Sequence, residues 1–171
     1  MSLDGKKVAI FIDNMYEDLE FWYPKIRMTE EGAEVTVIGS KAGSFSGKHG
    51  IPGKSDIAIT EAKADDYDAL IIPGGYSPDH MRRTPAMVEF VKKMNEGGKV
   101  IAAICHAGWM LASAGIIDGK KLTSFFSIKD DLVNAGAEWV DEEVVVDGNL
   151  VTSRNPGDLP AFCKTIISQL S

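Results

Sequence analysis

Lys99-Val-Ile-Ala-Ala-Ile-Cys-His-Ala-Gly-Trp-Met-Leu111 is the stretch that decides the fold. Lys99 to Ile104 is a short apolar run rich in β-branched residues, preceded by Gly97 and Gly98. A buried parallel strand has this composition. From His106 to Ala114 the pattern turns helical, with Trp109, Met110 and Leu111, and Gly115 supplies a C-terminal stop. Cys105 therefore falls at the joint between strand and helix, with the small residues Ala103 and Ala107 two places to either side. Small-x-nucleophile-x-small is the layout of a nucleophile elbow, whose tight turn needs small flanks because strand and helix approach closely. The turn presents the sulfur above the carboxyl edge of the sheet, beside the free N–H groups of the new helix. Those groups and the helix dipole favour thiolate over thiol, so the pattern predicts a lowered Cys105 pKa and a place for an oxyanion. The other reading of the same residue is a buried cysteine that merely ends a strand.

Working outward, Val8 to Asp13 reads as the first buried strand, followed by a loop over Asn14, Met15 and Tyr16. A helix is predicted from about Glu17 to Glu31, bent or restarted by Pro24 and ended by Gly32. Glu34 to Ser40 is the next strand, and the βαβ order argues for a parallel sheet with right-handed crossovers. Ala42 to Gly53 reads as an exposed connection between short antiparallel strands, with His49 in a solvated turn or a subunit contact. Ile57 to Thr60 is a further short strand, and Asp68 to Pro73 a core strand running into Gly74-Gly75. Two glycines there let the backbone approach a ligand, or form a plain turn. Thr84-Pro85 opens a helix to about Asn95, with threonine as N-cap. Beyond the elbow come a strand at Leu122 to Phe125, a helix from Ser127 to Ala135, and a hairpin around Asp147-Gly148. The last helix, about Asp158 to Leu170, carries Cys163 within its apolar stripe, which makes that cysteine core.

The chain has 171 residues, enough for one sizeable core and short for two domains. With no linker, repeat or low-complexity segment, residues 1–171 read as a single domain. A net charge of −7 argues against a nucleic-acid or anionic-membrane partner, since either would want a basic face. No apolar stretch reaches transmembrane length, and the N-terminus lacks the apolar region of a signal peptide. Two distant cysteines make neither a disulfide framework nor a zinc site, which fits a reducing, cytoplasmic setting.

Three loops follow core strands on one edge of the sheet: Asn14 to Glu17, Gly74-Gly75 and the Cys105 elbow. Ligands bind outside such carboxyl ends. Glu17 is thereby placed to reach Cys105, and a protonated Glu17 could hydrogen-bond to the sulfur and exchange protons with a substrate. An equal reading makes Glu17 an acid at a helix N-terminus. His106 adjoins Cys105, yet neighbours on an elbow rarely face each other, so it is expected to help by ring rotation or through its own N–H. No orienting acid for it is evident, and Asp79 and His80 read as a solvated face. Neither a phosphate-binding glycine loop nor a metal-ligand spacing is present, leaving a thiol enzyme with no cofactor and no metal.

These residues resemble the ThiJ/PfpI superfamily of the class I glutamine-amidotransferase-like fold, and in particular its PfpI-type intracellular peptidases. The resemblance rests on Tyr16-Glu17-Asp18-Leu19-Glu20, Gly47-Lys48-His49-Gly50, Asp68 to Gly75, Ala103-Ile104-Cys105-His106, Ile128-Lys129-Asp130-Asp131 and Ala137 to Asp141. Val144 to Asn149 and Ser153 to Pro156 extend it over nearly the whole chain. It implies an α/β, flavodoxin-like three-layer sandwich with a mostly parallel sheet. It also implies Cys105 as nucleophile, Glu17 as its acid partner, and an oxyanion hole from the N–H groups of Gly75 and His106 beside Gly74. A peptidase triad would be completed by Asp79 of a neighbouring subunit, implying a homo-oligomer, at least a dimer and often a hexamer. This chain departs from the family pattern at Ala107 and Gly108, usually glycine and proline, at Asp79, usually glutamate, and at Phe125, often tyrosine. The leading expectation is a cysteine enzyme of stress defence, of glyoxalase or deglycase type, acting on small aldehydes or glycated protein. An intracellular peptidase acting on peptides is the alternative, and a redox-sensing chaperone the rival outside enzymology. A glutaminase subunit fits poorly, because no late histidine and acid pair exists.

Overall fold

The computed structural model describes residues 1–171. In chain order the first half comprises β1 (Lys7–Ile12), α1 (Asp18–Glu30), β2 (Glu34–Gly39), β3 (Gly43–Ser46), β4 (Pro52–Ser55), β5 (Ile57–Ala58) and β6 (Ala69–Ile72). Then come α2 (Ser77–Met81), α3 (Pro85–Glu96), β7 (Val100–Ile104), α4 (Gly108–Ala114), β8 (Lys121–Leu122) and α5 (Lys129–Asn134). The chain closes with β9 (Glu138–Trp139), β10 (Val144–Asp147), β11 (Leu150–Ser153) and α6 (Leu159–Leu170).

Seven strands form the central sheet in the order β10-β11-β7-β6-β1-β2-β5, and only the β10–β11 pair is antiparallel. The expected α/β architecture is therefore present, a mostly parallel sheet between two helix layers. Strand alternation divides the core. Val8, Ile10, Ile12, Ala102 and Ile104 face α1 and α6 with Phe21, Met28, Phe162, Cys163 and Ile166. Ala9, Phe11, Leu70, Ile72, Ile101 and Ala103 face α3 and α4 with Met87, Phe90, Met110 and Leu111. Burying both faces explains why β1, β6 and β7 read as continuous apolar runs.

Four local expectations change. Pro24 does not break α1, which runs unbroken with Pro24 buried; the helix gives up one backbone hydrogen bond there. Thr84 makes no side-chain cap to α3. Ile57 to Thr60 is a strand only to Ala58, turning 3-10 at Ile59. Leu122 to Phe125 is not a strand: Lys121–Leu122 pairs with β9 in a separate two-stranded sheet, and the Phe125 N–H is drawn instead to the Cys105 carbonyl.

Candidate active site

Cys105 follows β7 directly, in a single 3-10 turn (Cys105–Ala107) that leads into α4. Its φ is +62°, a left-handed conformation rare for a side chain of any size. Such a strained residue costs on the order of 1–3 kcal/mol and persists only where its surroundings over-determine it. Ile104 ends the strand in extended conformation and Cys105 reverses it, which lifts the sulfur off the sheet edge as the elbow pattern expects.

Three groups converge on that sulfur. The first is His106, whose Nδ1 lies 3.2 Å from Cys105 Sγ, so adjacent residues on this elbow do face each other, against expectation. The imidazole stacks on Phe125 at 5.0 Å between centroids, meets the edge of Trp109, and places Nε2 3.3 Å from Ser127 Oγ. Packing therefore sets the ring angle where sequence offered no orienting acid. The second is Glu20. Its Oε2 accepts the Gly74 N–H at 2.9 Å, its Oε1 is buried with no partner, and the carboxyl adjoins the thiol. The third is the backbone: N–H groups of His106 and Gly75 are directed at Sγ and favour its charged form. Gly75 holds φ +73°, and a Cβ there would stand 2.5 Å from Glu17 N and Met15 O.

The acid expected beside the thiol was Glu17, and the structure puts Glu20 there instead. Glu17 is the N-cap of α1, with extended backbone. Its Oε2 turns back to accept the Leu19 and Glu20 N–H groups at 2.9 and 3.2 Å, and its Oε1 meets His49 Nε2 at 3.3 Å. Glu17 lines the same pocket without partnering the sulfur. Asp79 is partly exposed in α2 and paired with Arg83; within one chain it makes no contact with His106. His49 is not merely a turn residue, since it reaches Glu17.

Burial, then the charge of Glu17, pushes the Glu20 carboxyl up to about 8, against the Gly74 N–H, which pulls it down. Glu20 therefore holds its proton at neutral pH. Burial, then the charge of Glu20, pushes the Cys105 thiol up, and the N–H groups of His106 and Gly75 only partly offset this. The lowered thiol pKa expected from the helix N-terminus is thus reversed: desolvation of the thiolate outweighs a pair of backbone dipoles. Burial, then Lys48, pushes His106 down, which keeps its imidazole neutral, with a free lone pair, beside the thiol. In the tautomer where Nε2–H donates to Ser127, Nδ1 offers its lone pair to the S–H.

The pocket over these atoms encloses about 360 Å³ and is walled by Glu17, Glu20, Lys48, Gly75, Tyr76, Cys105, His106, Phe125 and Pro156. Lys48 and Pro156 lie in stretches that carry the family resemblance but were given no role there, and Tyr76 carried no sequence signal. No three of the His, Cys, Asp and Glu side chains cluster as a metal site would require. An acid with a retained proton, a neutral base and two aligned N–H groups around one sulfur can add a thiol to a carbonyl and move protons about the adduct.

The model of the DJ-1/PfpI family matches residues 6–169. The chain belongs to that family. It is 44% identical over 164 residues to the deglycase PfpI of Pyrococcus furiosus, covering 96% of this chain and 99% of that protein. It is 43% identical over 167 residues to YraA of Bacillus subtilis, named provisionally as a cysteine protease, covering 97% and 99%. Among solved structures, a two-domain protein of Anabaena variabilis with DJ-1/ThiJ/PfpI-like and ferritin-like domains superposes with a TM-score of 0.95 at 46% identity. The match covers 96% of this chain and spans 48% of that one.

Proposed function

We propose that this DJ-1/PfpI protein is a cysteine enzyme acting on reactive aldehydes or early glycation adducts, in the manner of a glyoxalase or deglycase. The observation that carries the reading is Cys105 at a left-handed elbow, with His106 Nδ1 at 3.2 Å and a proton-bearing Glu20 beside it. The name deglycase on relatives matched over their full length supports it.

The thiol proton passes to His106 Nδ1 as Sγ bonds to the aldehyde carbon. The carbonyl electron pair moves to oxygen, where the Gly75 and His106 N–H groups receive it and Glu20 delivers a proton, giving a hemithioacetal. With a 2-oxoaldehyde, the Glu20 carboxylate then takes the hydrogen from the sulfur-bearing carbon. The proton held on His106 passes to the neighbouring carbonyl oxygen to give the enediol; Glu20 then protonates that carbon and takes back the hydroxyl proton of the sulfur-bearing carbon, and the product is a 2-hydroxyacyl thioester. Water cleaves this ester to the 2-hydroxy acid and restores the thiol. Oxygen and hydrogen balance as aldehyde plus water. Lactate formation from methylglyoxal by the wild type, lost in Cys105→Ser, is the expected result; equal rates in both proteins would sink the reading.

The peptidase reading has one observation in its favour, the 3.2 Å approach of His106 to the sulfur, together with the name of YraA. It requires Asp79 of a second copy to leave Arg83 and orient His106, a position that Ser127 holds within the chain.

A further inference from the structure

Lys48 is exposed, yet its backbone is fastened to the site. Buried Asp18 accepts the N–H groups of His49 and Ile51 at 3.0 and 2.9 Å. The Lys48 N–H donates to the Tyr16 carbonyl at 2.9 Å, and a side chain at position 47 would run into Asp18. The loop is thereby locked onto the turn that sets Glu17, and Lys48 forms part of the pocket wall.

Among the residues that wall the pocket Lys48 is the only lysine or arginine, and it forms no ion pair. Its charge is felt at both Glu20 and His106. Neither acid on the pocket wall pairs with Lys48. Glu17 is held by two helix N–H groups and by His49, while Glu20 keeps its proton at neutral pH. An unpaired ammonium and two inward N–H groups thus face one small cavity as donors available to an anion.

We propose that Lys48 is a specificity-determining residue that selects carbonyl substrates bearing a carboxylate, such as 2-oxoacid aldehydes or adducts on a free amino acid, over neutral aldehydes. The proposal rests on the reading of Cys105 as nucleophile and names the substrate class of that same site. It involves no new chemical step: the carboxylate pairs with Lys48 while the neighbouring carbonyl carbon meets Sγ.

The test compares alkylation of Cys105 by iodoacetate, an anion, and by iodoacetamide, its neutral counterpart, followed by mass spectrometry of the Cys105 peptide. Both reagents attack the same sulfur, so their rate ratio cancels any general change in thiol reactivity. In Lys48→Gln the iodoacetate-to-iodoacetamide ratio is expected to fall about three- to tenfold, as loss of one nearby charge in a partly solvated site implies. In Lys48→Arg it is expected to stay near the wild-type value. A ratio unchanged in Lys48→Gln overturns the proposal. Failure to turn over methylglyoxal would overturn the assigned reaction while leaving this ratio readable, so the two claims fail separately.

Discussion

Replacing Glu20 by glutamine keeps the shape of the side chain, and an acceptor for the Gly74 N–H, while removing the only charge that can form at that point. The carboxyl is buried among α1, the Gly74 loop and Cys105, and titrates at about 8 rather than 4.5. Because its pKa in the folded state is raised, the unfolded chain releases this proton first as pH rises. Glu20's contribution to stability is thus fully present below about pH 4.5 and is lost progressively up to about pH 8. Between about pH 5 and pH 9 the loss amounts to roughly 4 kcal/mol, from about 1.4 kcal/mol for each pH unit that separates the two states. Glutamine does not titrate and escapes it. Urea unfolding of both proteins across this range is the assay, with the difference between them cancelling every other titrating group. E20Q is expected to gain several kcal/mol on the wild type from the acid to the alkaline end. Parallel curves would refute a buried, protonated Glu20, and with it the proton source assigned to the reaction.

Gly75→Ala introduces a Cβ 2.5 Å from the Glu17 amide and the Met15 carbonyl at φ +73°, so the loop must move. The expected loss is about 1–3 kcal/mol in urea unfolding, together with slower turnover, because one oxyanion N–H leaves its place. In His106→Phe the thiol loses its neighbouring base, and alkylation of Cys105 is expected to slow near neutral pH and recover in alkaline solution. The wild-type rate should hold on the acid side of neutrality, since His106 is pushed below the usual histidine range. An identical pH profile in both proteins would show that Nδ1 does not take the thiol proton. Asp79→Asn is expected to leave lactate formation from methylglyoxal within about twofold, in line with a surface substitution away from the site, whereas a peptidase triad would lose most of its activity.

The elbow was legible because its signals are local: glycines before the strand, β-branched residues within it, small residues around Cys105 and an αL glycine at its helix end. The choice between Glu17 and Glu20 was not. The two acids stand one helical turn apart, and which of them meets the sulfur depends on where α1 begins. Glu17, still extended, folds back over its own helix N-terminus, so Glu20, in the first turn of the helix, is the acid that faces the sheet edge. A signal for this existed in the buried stripe of Glu20, Phe21, Pro24 and Met28, where a glutamate has no place unless it keeps a proton or a partner. Lys48 and His49 lay beyond local reach, because the β3–β4 hairpin returns over Tyr16 through contacts some thirty residues apart in sequence. The direction of the Cys105 shift was misjudged for the same reason. Helix dipoles can be read from the chain, but burial of the sulfur emerges only once α1 and the Gly74 loop close around it.

The central claim is that Cys105 bonds to the carbonyl carbon and Glu20 moves the protons that follow. Intact-protein mass spectrometry of E20Q mixed with methylglyoxal, with the modified peptide then identified, tests this most directly. In E20Q water can still protonate the adduct oxygen but no carboxylate takes the hydrogen from the sulfur-bearing carbon, so a mass increase equal to one methylglyoxal is expected to accumulate on Cys105, while the wild type turns over without it. Adducts found only on lysine and arginine side chains, with Cys105 unmodified, would contradict the account.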